Sequence, residues 1–184
     1  MNALAPRQST SRLVIAGACL CALAAGIVIA TTALLVVATG RAADTRHALG
    51  FGFGGVDPSL SEVAGIASHN ARVAWAALAC AVAAPRLPVV ARRAVDVLLA
   101  VVLSLSASAV GTAYGAYGWR AISATASHLP IEFAGLSLAG GAYLHARRQA
   151  IRAHDLAVVA SGCAVLLVVA ALLETYVSPS GGSS

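Results

Sequence analysis

From Leu13 to Gly40 no side chain is charged. A bilayer core about 30 Å thick takes roughly 20 helical residues to cross, so this run suffices for a membrane helix. It is about twice as long as the apolar part of a cleaved secretory signal, and behind Arg7 and Arg12 it reads as an anchor. The rest of the chain has the same character: 59% of its residues are hydrophobic and only 10% charged, which excludes an ordinary soluble domain. The expected fold class is all-α, a polytopic transmembrane helical bundle.

Hydropathy divides the chain into five spans. Residues 1–12 form a cytoplasmic N-terminal segment and 13–40 the first transmembrane span. Residues 41–67 make an extracytoplasmic connection, with a flexible FGFGG at Phe51 to Gly55. Ser59 and Glu62 give the S-x-x-E pattern of a helix start, and Leu60, Val63, Ile66 and Ala67 follow at helical spacing. They predict a short amphipathic helix on the membrane surface leading into the second span.

Residues 68–177 form a four-span membrane domain, with spans at about Ser68 to Ala84, Val95 to Trp119, Pro130 to Leu144 and Leu156 to Val177. The fourth is short for a bilayer. Either it extends back through Ala121 to Ala126 with a proline kink, or it is partly buried among its neighbours. Residues 178–184 are a flexible polar tail. Gly111 and Gly115 make a G-x-x-x-G beside the small-residue stripe Ser104, Ser108, Thr112 and Ala116; with Gly140 and Gly141 they are the expected points of close helix packing.

All twelve basic residues are arginines. With the N-terminus inside, eight of them (Arg7, Arg12, Arg86, Arg92, Arg93, Arg147, Arg148, Arg152) fall on the cytoplasmic side, which predicts N-in and C-out. Arginines confined to short loops orient a chain in lipid and do not argue for a nucleic-acid partner. Cys19, Cys21, Cys80 and Cys163 lie in apolar runs and read as small packing residues, with no disulfide framework and no zinc site.

The stretch from Ser127 to Arg148 carries the clearest chemical signal, because it sets Glu132 inside an apolar segment that ends in an arginine pair. An ionisable group at membrane depth is rare without a partner or a task. The predicted orientation brings other polar groups to the same outer depth. His69, Asn70 and Arg72 open the second span, His128 and Glu132 the fourth, and Glu174 lies about 6 Å inside the end of the fifth. Two carboxylates near one guanidinium predict a buried network in which Arg72 is the bidentate donor. Such a network either fixes helix register or forms an outward-facing polar pocket or docking site.

On this reading Glu132→Leu is harmful because it strands Arg72. The histidines and glutamates show no fixed ligand spacing, and neither a phosphate loop nor a nucleophile-and-base pattern occurs. No metal, cofactor or catalytic residue is therefore expected. Asp96, beside Arg92 and Arg93, reads as a solvated interface charge; Tyr114, Tyr117 and Trp119 read as an aromatic belt.

Several of these segments together resemble the stage II sporulation protein M family of multi-pass bacterial membrane proteins. They are HN-x-RVA at His69 to Ala74, GTAYG at Gly111 to Gly115, and H-x-x-x-E at His128 to Glu132. AGGA at Ala139 to Ala142 and ALLETYVSP at Ala171 to Pro179 complete the set, in matching order between Ser59 and Pro179. The resemblance implies a plasma-membrane protein without catalytic residues, whose founding member assembles with peptidoglycan-degrading partners during engulfment. By motif match His69, Asn70, His128, Glu132 and Glu174 carry over as the family's recurrent positions. The expected function is a scaffold or recruiting subunit of a cell-envelope complex, its partners being membrane lipid and other envelope proteins or a second copy of the chain. A small permease or transporter subunit is the alternative, suggested by the short, proline-started, glycine-rich fourth span.

Overall fold

The computed structural model describes residues 10–51 and 58–177; the start of the N-terminal segment, most of the FGFGG loop and the flexible tail lie outside the described residues. Seven α-helices follow one another, and no strand occurs among the described residues. They are α1 (Thr10–Ala38), α2 (Ala42–Leu49), α3 (Leu60–Ala83), α4 (Val89–Tyr117), α5 (Trp119–Thr125), α6 (Leu129–Ala146) and α7 (Ala153–Tyr176). Three of them, α1, α4 and α7, are long and apolar enough to cross a membrane. The α3 helix falls short of that standard because His69, Asn70 and Arg72 dilute it, and α6 because Pro130, Glu132 and His145 do.

Neighbouring contacts fix the direction of each long helix. Gly111 and Gly115 of α4 meet Ile29 and Ala33 of α1 in ascending order, so α1 and α4 run parallel. On α6, Gly135 lies against Leu166 and Leu167 while Leu138 lies against Gly162, so α6 runs opposite to α7. The α1 helix likewise meets the far end of α6 with its own beginning, through Gly17 and Gly141. Ala74, Ala77 and Leu78 share a core with Leu136, Ala139 and Ala142, and Ala81 and Ala84 share one with Tyr143 and Ala146, which runs α3 alongside α6. Thus α1, α4 and α7 point one way and α3 and α6 the other.

The bundle is built around α6, which packs on α1, α3 and α7. Its core is short of bulk: the largest fully buried side chains are Leu167 and Cys163, and most other buried positions are Ala or Gly. In lipid, apolar side chains gain little by leaving their surroundings, so association depends on close dispersion contact, which small residues permit. A β-carbon at Gly141 would strike the Val14 carbonyl oxygen and come within 2.6 Å of the Ala18 nitrogen; one at Gly140 would lie 2.9 Å from Cys21 Sγ. At Gly111 it would lie 2.5 Å from the Ile29 oxygen, and at Gly115 2.6 Å from that of Ala33. The four glycines singled out for packing all sit where α1 meets another helix.

Three local features depart from the expectations. Ser59 Oγ accepts the Glu62 N–H at 3.2 Å and caps α3, but the surface helix expected from Leu60 is no separate element and forms the first turns of α3 itself. The α3 helix runs unbroken for 24 residues until Pro85 ends it in a short 3-10 turn. The α2 helix was not foreseen: it stops at Gly50, whose φ of 60° is left-handed. Tyr117 Oη donates to the Arg46 carbonyl and accepts from the Phe51 N–H, each at 3.1 Å, and Tyr114 Oη is 2.7 Å from Thr125 Oγ1. The tyrosines read as an aromatic belt therefore tie α2 and α5 to α4.

The short fourth apolar segment is not continued backwards. Gly118, at φ 58°, separates α4 from α5, and α6 starts afresh with Pro130 in its first turn. Of the two alternatives for this segment, burial among its neighbours is the one observed.

Candidate functional site

Two polar clusters lie at opposite ends of α6. At its beginning, His128 is buried while Glu132 and Glu174 are half-buried, and Glu174 lies within electrostatic reach of both. Thr175, the next residue on α7, has a buried hydroxyl with no hydrogen-bond partner among the described residues. Three of the six residues predicted for the network thus converge.

The α3 contribution to that network does not form. His69 and Arg72 are exposed and Asn70 is half-buried. Among the described residues no ion pair joins Arg72 to Glu132 or Glu174. The reason is angular. Ala74, Ala77, Leu78 and Ala81 form the buried face of α3, and Arg72 stands two residues from Ala74, about 200° around the helix. Sequence had matched the groups by depth, but depth does not fix the direction in which a side chain points.

The expected effect of Glu132→Leu changes sign accordingly. No guanidinium is stranded, and the substitution removes a half-buried carboxylate that faces another. Thermal stability in detergent near neutral pH is expected to rise by about 1 kcal/mol, less than the roughly 3 kcal/mol assigned to a carboxylate at the bilayer centre because Glu132 lies in the first turn of its helix. A melting temperature well below that of the unsubstituted chain would restore the cation–carboxylate network.

At the other end of α6 the structure forms a cluster that the sequence did not suggest. Tyr143 Oη donates to Asp96 Oδ1 at 2.6 Å, and Arg147 Nη2 lies 3.0 Å from Asp96 Oδ2. Asp96 is therefore no free interface charge. Of the two arginines beside it in sequence, Arg92 turns away and donates through Nε and Nη2 to the Leu87 carbonyl, at 3.3 and 3.0 Å. Tyr143 and Arg147 are four residues apart and so share a face of α6. That spacing was readable, but the acid they meet lies 47 residues before Tyr143.

Beside this cluster is a cavity of about 330 Å3, walled by α1, α3, α4 and α6 and lined almost wholly by apolar side chains, with Asp96, Tyr143 and Arg147 among its lining. It exists because α4 is held to the bundle by α1 and stands off α3. Its volume lies at the lower end of the range of small-molecule pockets, about 300–1,000 Å3. Among the described residues no three His, Cys, Asp or Glu side chains converge as a metal ion requires. Compared with family models, characterised proteins and solved structures, the chain matches none.

Proposed function

We propose that the chain is a five-span protein of the bacterial cell membrane, N-in and C-out, that works as a non-catalytic scaffold or recruiting subunit of a cell-envelope complex. Five spans are supported by direction. Parallel α1 and α4 need a returning segment between them, as do α4 and α7, and antiparallel α3 and α6 are the available returns. Burial of α6 among α1, α3 and α7 makes its short length tolerable, since its polar residues then face protein. The orientation is supported by the arginine distribution.

The observation that carries the scaffold reading is the outer face of α4. Val97, Val101, Leu105 and Ala109 repeat every four residues and point away from the bundle, Val97 and Leu105 being 63% and 66% exposed. Ser104 and Ser106 beside them are exposed as well. Small hydroxyl residues within a lipid-facing surface allow another helix to approach closely, which a uniformly bulky surface does not. A photoreactive residue placed at Leu105 in native membranes is expected to trap a protein adduct of discrete mass, either an envelope protein or a second copy. Adducts to lipid alone, at Leu105 and at Val101, would overturn the reading.

A further inference from the structure

We propose that the cavity between α1, α3, α4 and α6 holds one hydrocarbon chain of an anionic phospholipid, with the lipid phosphate at Arg147. The shape selects the occupant. From Asp96 to Ser104 the cavity follows α4 for about 12 Å. That length, with a lining almost wholly of apolar side chains and with Ala24, Ala25, Ala77 and Ala100 among them, suits part of one extended acyl chain. Ala100, Ser104 and Leu144 line the cavity and are also exposed, which opens it sideways to the surrounding lipid.

Charge selects the headgroup. The end of the bundle where α3 and α6 finish and α4 and α7 begin carries Arg86, Arg92, Arg93, Arg147, Arg148 and Arg152 against two acids, Asp96 and Asp155. Basic pockets between membrane helices at this level bind anionic headgroups. Arg147 lines the cavity, and only its Nη2 is committed to Asp96. A guanidinium has five N–H donors, so several stay available for a phosphate while Asp96 and Tyr143 hold the side chain in place. The site binds the headgroup at the rim and the chain within, and it is independent of whether α4 recruits a protein.

The full-length chain in a neutral detergent, titrated with dioleoyl phosphatidylglycerol, dioleoyl phosphatidylcholine or glycerol 3-phosphate and examined by native mass spectrometry, tests this. One phosphatidylglycerol per chain is expected, retained about fivefold to tenfold better than phosphatidylcholine, the contribution of one or more arginines near a headgroup. Glycerol 3-phosphate has no chain and is expected neither to bind nor to displace the lipid. Ala100→Trp fills the cavity and removes retention of both lipids, whereas Arg147→Gln removes the preference between them. Equal retention of the two lipids by the unsubstituted chain overturns the proposal without recourse to any variant. So does displacement by glycerol 3-phosphate, or phosphatidylglycerol retention unchanged in an Ala100→Trp protein that melts as the parent does.

Discussion

Gly141→Ala is expected to lower the stability of the detergent-solubilised protein by about 1–3 kcal/mol, the range for forcing an extra carbon into a packed core. The added carbon meets backbone on α1: the carbonyl of Val14, the nitrogen of Ala18 and the α-carbon of that residue at 3.1 Å. Backbone cannot rotate out of the way as a side chain can. Relief therefore requires α1 to move off α6, and α1 is the helix on which α4 is seated, so the displacement spreads to the far side of the bundle. Gly26→Ala supplies the control, because a β-carbon there meets nothing within 4 Å and alanine favours a helix over glycine by up to about 1 kcal/mol. Thermal melting should place Gly26→Ala at or above the parent and Gly141→Ala well below it. Equal melting of the two variants would mean that α1 and α6 do not approach this closely.

Asp96→Ala is expected to destabilise by a similar amount, about 1–3 kcal/mol, by leaving Arg147 and the Tyr143 hydroxyl without their common acceptor. A fully buried pair would lose more, but the Arg147 side chain is 38% exposed and that of Asp96 28%, so water takes up part of the loss. Asp96→Asn keeps an acceptor for Tyr143 while removing the ion pair, and should fall between the parent and Asp96→Ala. In a double-mutant cycle, Tyr143→Phe should cost less in the Asp96→Ala background than in the parent, since its partner has already gone. Additive losses would show that α4 and α6 are not joined at this point.

The two clusters at the ends of α6 show unequal legibility. Glu132 and Glu174 stood out because each interrupts an otherwise apolar segment, and the depth argument brought them together with His128. The same argument assigned Arg72 to them, and it faces elsewhere. Asp96 was passed over because Arg92 and Arg93 stand beside it in sequence and supplied an explanation that geometry does not use. The α2 helix escaped notice for a different reason: eight residues with little apolar content carry no strong periodic signal, and the helix is secured through Tyr117 from the distant end of α4.

What sequence alone determined was the helical class, the long apolar segments of α1, α4 and α7 and the glycines at which helices touch. These depend on quantities summed along one segment: the absence of charge over a bilayer's thickness, and the absence of a side chain where two backbones meet. Tertiary structure alone decided that α6 lies innermost, that Arg72 turns outward while Arg147 turns to Asp96, and that α4 stands off α3 to leave a cavity. Each is a matter of rotation about a helix axis or of spacing between axes, and residue spacing constrains neither until the neighbouring helices are in place.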